Sequence, residues 1–212
     1  MIIGISGPSC SGKTTLARHL AMFHPNTILI HQDDFYLPES QLPVRHGHAD
    51  WDCPEAFDFA KFYSVLQTLD TTRYTSYEPE SHLISKYVSS LRKSVQDQLK
   101  EIEKLVIVDG ILLFHDKNLS NVFDVRVFVD GDYDILKARR EQRVYDTMEG
   151  AWKDPPGYFD TVVWPSYLYW NKDVLKDSDA QGILKFKTER DDLDDMIRSV
   201  VNEMMAISTK TV

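Results

Sequence analysis

An apolar run, Ile2-Ile3-Gly4-Ile5-Ser6, leads directly into Gly7-Pro8-Ser9-Cys10-Ser11-Gly12-Lys13-Thr14-Thr15. This is GxxxxGK[ST] spacing between a strand signal and a helix signal, an arrangement suited to holding a nucleoside triphosphate. In such a loop the backbone N–H groups point inward. Polyphosphate oxygens then accept the hydrogen bonds that the first turn of the following helix leaves unmade. Gly7 and Gly12 let the backbone curl and approach closely, Lys13 reaches the β- and γ-phosphates, and the Thr14 hydroxyl is placed to ligate Mg²⁺.

In an open parallel sheet, ligands gather beyond the carboxyl ends of the strands, so the residues that close each apolar run are the next candidates. The run 27–31 closes on Gln32-Asp33-Asp34. Asp33 could accept the proton of an attacking hydroxyl and aim its oxygen at the γ-phosphorus; the competing reading is an acidic turn. Val106-Ile107-Val108 closes on Asp109-Gly110. That pattern suits a carboxylate holding Mg²⁺ directly or through water, although Asp-Gly is also a common turn. Arg139, Arg140 and Arg143 cluster at the end of a helical pattern, Arg139 and Arg143 one turn apart on the same face and Arg140 three residues before Arg143. They could complement the helix dipole, or close over a triphosphate and offset the charge on the transferring phosphoryl group.

These residues need a scaffold, and the hydrophobic pattern supplies one. Apolar runs at 2–6, 27–31, 105–108, 125–129 and 183–186 predict strands. Helical spacing predicts helices over 14–23, 55–69, much of 83–102, 133–143, 158–175 and 192–207. Strands alternating with helices call for an α/β fold with a parallel sheet. The polar, Pro-bearing stretches 37–50, 71–82 and 147–157 are candidate substrate or lid loops.

The chain has 212 residues, 42% hydrophobic and 27% charged, which is enough to bury a core as a single domain over 1–212. Its formal net charge of −9 opposes a sequence-independent grip on nucleic acid and favours a small-molecule partner. The two cysteines, Cys10 and Cys53, suggest neither a disulfide framework nor a Cys-based zinc site. No apolar run is long enough to span a bilayer and no cationic leader precedes the first strand, so the expected compartment is the cytoplasm, with no membrane partner.

The pieces GPSCSGKTT, HQDDFY, WDCPEAFDF, VIVDGILLF, ARREQRVY and DPPGYFD, with WPSYLYW three residues further on, resemble in order and spacing the nicotinamide riboside kinases of the uridine kinase-like branch of P-loop kinases. The resemblance runs from Met1 to about Trp170. It implies a P-loop kinase fold, a five-stranded parallel sheet in the order 2-3-1-4-5 flanked by helices, with a small lid at about 139–157. It also implies ATP as phosphoryl donor, Mg²⁺ as cofactor and a nucleoside as substrate in NAD synthesis. By resemblance Asp33 is the general base on the ribose 5′-hydroxyl. Lys13, Arg139 and Arg143 act on the transferring phosphate. Gly7 to Thr15 hold ATP, and Thr14 and Asp109 serve Mg²⁺. The family often has Glu where this chain has Asp109, which is one methylene shorter and favours contact through water. Asp52 and Arg140 are implied at the ribose hydroxyls, and Tyr36, Trp51 and Tyr145 around the base.

Asp52 has a local alternative, since Asp52-Cys53-Pro54-Glu55 also reads as a capping box for the next helix. Independently of the resemblance, a cationic pyridinium ring would be attracted by aromatic faces and nearby carboxylates. Two other functions fit parts of the sequence. A uridine-cytidine kinase would share the Asp-x-Pro-x-Ala-Phe-Asp piece but usually has His where Cys53 stands. A non-catalytic nucleotide-binding protein would have no use for Asp33, Asp109 and the three arginines together.

Overall fold

The computed structural model describes residues 1–69, 77, 89–147 and 150–209. In chain order the strands are β1 (Ile2–Ser6), β2 (Thr27–His31), β3 (Val44–Arg45), β4 (His48–Ala49), β5 (Leu105–Gly110), β6 (Val125–Asp130), β7 (Tyr145–Thr147), β8 (Gly150–Trp152) and β9 (Leu184–Lys187). The helices are α1 (Lys13–Ala21), α2 (Phe59–Thr68), α3 (Ser89–Leu99), α4 (Lys117–Ser120), α5 (Tyr133–Glu141), α6 (Trp164–Trp170), α7 (Lys172–Lys176) and α8 (Leu193–Ser208). Five strands pair in parallel in the order β2-β5-β1-β6-β9, which is the 2-3-1-4-5 order expected.

Because side chains alternate across a strand, each inner strand feeds two cores. Ile3, Ile5, Leu105, Ile107, Val125 and Val127 point to one face, where they meet Leu16 and Leu20 of α1, Val95 and Leu99 of α3, and Met196, Val200 and Met204 of α8. Val106, Val108 and Phe128 point to the other, against Phe62 and Leu66 of α2 and Tyr167 of α6. Strand β5 is buried along its whole length, which explains why its sequence is apolar without alternation until Asp109. Among the described residues, no helix is long and apolar enough to cross a membrane.

Several expected elements are shorter or more broken. In place of one helix over 55–69, the chain makes a 3-10 turn at Pro54–Ala56, extends through Phe57, and begins α2 only after Asp58, whose side chain accepts from Lys61 N at 2.9 Å. The extended stretch lies along residues 35–37, with Leu37 N donating to Ala56 O and Asp58 N to Phe35 O, both at 2.8 Å. The helix expected over 158–175 starts as a π-helical turn, Phe159–Val163. Pro165, which has no N–H to donate, follows at the start of α6. The helix breaks again at Asn171, whose φ of −105° and ψ of 12° leave the helical region while its side-chain amide and its backbone N–H both donate to Tyr167 O at 3.1 Å. The expected loops at 37–50 and 147–157 contain parts of two hairpins, β3–β4 and β7–β8. The expected loop 71–82, Tyr77 excepted, and the first part of the helix over 83–102 lie outside the described residues.

Gly4 sits where β1 passes under Phe123, and a Cβ there would lie 2.7 Å from the ring. Gly4→Ala should therefore cost about 1–3 kcal/mol of stability through overpacking. Thermal or denaturant unfolding would show the loss, while turnover per folded molecule stays near that of the parent.

Candidate active site

The phosphate loop bends where the sequence places its glycines. Gly7 has φ +142° and Gly12, which caps α1, has φ +97°. Cys10 adopts φ 65°, a left-handed conformation unusual for a residue with a side chain. Inside the loop the Lys13 ammonium donates to the Pro8 carbonyl at 2.7 Å. Burial pulls the Lys13 pKa down, against the charges of Asp109 and Asp33, which raise it.

Strand register builds the second part of the site. His31 closes β2 directly beside Asp109 on β5. The His31 Nδ1 pairs with Asp109 Oδ1, and the Thr14 hydroxyl donates to Asp109 Oδ2 at 2.5 Å. The hydrogen bond between His31 and Asp109 raises the His31 pKa, against burial, which lowers it. Gln32, fully buried, accepts from Leu112 N at 3.0 Å and ties the turn after β2 to the turn after β5. Asp33 follows at the mouth of the cleft, where enclosure by protein and then the charge of Asp109 raise its pKa, opposed by Lys13. Its carboxylate still reaches solvent, which damps that shift.

The arginines come from α5 and the turn behind it. Arg139 Nη1 donates to Cys10 O at 3.1 Å and to Thr188 Oγ1 at 2.9 Å. Arg143 lies over the Tyr145 ring at 4.5 Å and within 4.0 Å of the Cys10 sulfur. Arg140 is buried between two carboxylates: its Nε donates to Asp154 at 2.8 Å and its Nη2 to Asp52 at 3.3 Å. Asp52 therefore faces Arg140 and does not cap a helix; α2 takes its cap from Asp58 instead. Burial raises the Asp52 pKa, and the Arg140 charge opposes the rise.

A cleft of about 830 Å³ is lined by Ser9, Cys10, Gly12, Lys13, Thr14, Thr15, Asp33, Tyr36, Trp51, Asp109, Arg139, Arg140, Arg143 and Tyr145. Gly7, Pro8 and Ser11 shape the loop without lining the cleft, and Asp52 stands behind Arg140. Tyr36, Trp51 and Tyr145, which the resemblance put around the base, all line this one cleft, with different neighbours. Tyr145 reaches the phosphate loop, sharing a hydrogen bond with Ser9 Oγ at 3.1 Å, and Arg140 and Arg143 lie 4.7 and 4.5 Å from its ring centre. Trp51 instead meets Tyr36 and Trp152, at centroid distances of 5.3 and 5.9 Å. Sequence reasoning gave no role to His31, Trp152, Asp154 or Thr188. Only His31, the last residue of the strand that precedes Asp33, carried a signal.

The arrangement combines an anion-binding loop, a carboxylate beside a hydroxyl, a further carboxylate in the cleft and three guanidiniums, which is the equipment of phosphoryl transfer. A family model, the Phosphoribulokinase / Uridine kinase family, matches residues 2–149. The nicotinamide riboside kinase of Schizosaccharomyces pombe is 34% identical, over 96% of this chain and 97% of that protein. That of Saccharomyces cerevisiae is 33% identical, over 87% and 82%. Human nicotinamide riboside kinase 1 is 36% identical, over 82% and 77%. The chain thus belongs to the phosphoribulokinase/uridine kinase family and, within it, to the nicotinamide riboside kinases.

Proposed function

We propose that the chain transfers the γ-phosphoryl group of ATP to the 5′-hydroxyl of nicotinamide riboside, forming the mononucleotide used in NAD synthesis, with nicotinic acid riboside as a second substrate. It works as one catalytic unit in the cytoplasm, with 139–157 as its lid and small molecules as its partners. The supporting observation is that Lys13, Asp33, Asp109, three arginines and the Tyr36–Trp51 pair all face one cleft. In this reading Asp33 takes the proton of the hydroxyl as its oxygen bonds to the γ-phosphorus and the bond to the β-phosphate oxygen breaks, releasing ADP. Lys13, Arg139 and Arg143 offset the charge spread over the phosphoryl oxygens. Arg140 and Asp52 turn towards the ribose hydroxyls.

The donors around Thr14 fit Mg²⁺. A hydroxyl and a carboxylate oxygen stand 2.5 Å apart, both hard ligands. Thr14 and Asp109 would hold Mg²⁺, and the ion would neutralise phosphate charge and polarise the γ-phosphoryl group.

ADP release across nicotinamide riboside, nicotinic acid riboside, uridine and cytidine tests the reading. The highest kcat/KM should fall on nicotinamide riboside. A maximum on the pyrimidine nucleosides would make the chain a uridine-cytidine kinase, and no nucleoside-dependent ADP would make it a binding protein.

Asp33→Asn keeps the shape and removes the base, so kcat should fall by roughly 10²- to 10⁴-fold with ATP binding little changed. Because Asp33 must be ionised and its pKa is raised, the parent rate should decline as pH falls through a midpoint above the ordinary carboxylate value. The variant should lack that limb. Arg143→Ala should lower kcat by about 10²- to 10³-fold, with nucleoside affinity measured in the absence of ATP nearly unchanged. His31→Ala releases one oxygen of Asp109 and should raise the Mg²⁺ concentration needed for half-maximal ATP binding, read by calorimetry, while metal-free ATP binds as before.

A further inference from the structure

The carboxyl end of β9 reaches the phosphate loop, as the ends of β2 and β5 do. Thr188 follows Lys187, the last residue of β9, on a turn held from both sides. Lys187 N donates to Asp191 Oδ2 at 2.7 Å, Asp191 N returns to Lys187 O at 2.8 Å, and Thr188 N donates to Asp130 O at 3.0 Å. The side chain is held as firmly as the backbone. Its methyl faces Gly131, where a Cβ would lie 2.9 Å from Thr188 Cγ2. In a β-branched residue one torsion places both branches, so a methyl seated over Gly131 also fixes the hydroxyl. That hydroxyl stands beside the phosphate loop, 3.8 Å from where a Cβ on Gly12 would be.

Arg139 rests on this hydroxyl. Its Nη1 donates to Thr188 Oγ1 at 2.9 Å and to the Cys10 carbonyl at 3.1 Å. The residue is exposed, in the last turn of α5, where a long side chain would otherwise sample many rotamers. The kind of acceptor matters as much as the contact. Arg140 is held by the carboxylates of Asp52 and Asp154, whose charges offset its own. The two oxygens that hold Arg139 are neutral, so they fix the guanidinium without cancelling its charge. A guanidinium carries five N–H donors, and an anchor at Nη1 does not consume those of Nε and Nη2.

We propose that Thr188 is a positioning residue for phosphoryl transfer: with the Cys10 carbonyl it sets the Arg139 guanidinium beside the phosphate loop through neutral acceptors, so that the full charge is delivered to the transferring group. This rests on the kinase reading above and adds to it the residue that orients Arg139 before charge develops, when preorganised donors are worth most.

Thr188→Val keeps the shape and the methyl contact but removes the acceptor. Its kcat should fall by about 3- to 30-fold, less than the worth of a whole charged hydrogen bond because the Cys10 carbonyl still holds the guanidinium. The Kd for ATP, read by calorimetry, should stay near that of the parent. Thr188→Ser restores the oxygen and should recover most of the loss. In an Arg139→Ala background Thr188→Val should change kcat little, since nothing remains to be positioned. Additive losses in that cycle would make Thr188 a general structural residue. Weaker ATP binding with kcat unchanged would make it a nucleotide contact, and a Val variant as fast as the parent or faster would make the contact idle. Each of these overturns the proposal.

Side-chain ¹⁵N relaxation separates the positioning from the transfer reading. The Arg139 Nε–H, assigned by its disappearance in Arg139→Lys, should be rigid in the unliganded parent and in Thr188→Ser, and mobile in Thr188→Val. Equal mobility in the parent and the Val variant would overturn the positioning whatever the chain phosphorylates. A rigid Arg139 in a parent that releases no ADP with any nucleoside would overturn the transfer reading instead.

Discussion

The rest of the site depends on how closely the phosphate loop passes the end of β6. A Cβ on Gly7 would lie 2.1 Å from the Val129 carbonyl oxygen, and the residue sits at a φ that side chains rarely adopt. Only glycine allows the loop to leave β1 here and still deliver Gly12 to the start of α1. Thr14, in the first turn of that helix, then meets Asp109 at the end of the neighbouring strand. A loop displaced by the width of one methyl group would move Lys13 and Thr14 together.

Charge is distributed around this loop by the sheet itself. Parallel strands bury their middles, so polar side chains that cannot enter the core collect at the carboxyl ends. His31, Asp33 and Asp109 arise in this way at the ends of β2 and β5, while Lys13 opposes them from α1. Each shift in proton affinity has its counterpart nearby: the field that raises the Asp33 pKa includes Asp109, and the field that restrains it includes Lys13. No single residue has its acidity set alone.

Much of this was legible in the sequence, because the phosphate loop, Asp33 and Asp109 are local in the chain and need only a strand that ends on time. The strand order came with the family resemblance, and the pairing of β2 with β5 conforms to it. What escaped were contacts made through space. That His31 neighbours Asp109 follows only once two strands far apart in sequence lie in register. Asp52 resembled a cap because Asp, Pro and Glu stand at capping distances, but Phe57 stays extended and leaves that role to Asp58. Trp152 and Asp154 lie in a stretch whose paired strands are three residues long, too short to show an alternating pattern.

The β7–β8 hairpin has one further consequence. Tyr145 on one strand rests on Ser9, and Trp152 directly across from it rests on Trp51, so a single small ribbon touches the phosphate loop and the aromatic wall at once. Two ligands that touch the same ribbon can be coupled through it. By linkage, whatever factor a triphosphate at the loop applies to the affinity of a nucleoside at the wall, the nucleoside applies to the affinity of the triphosphate.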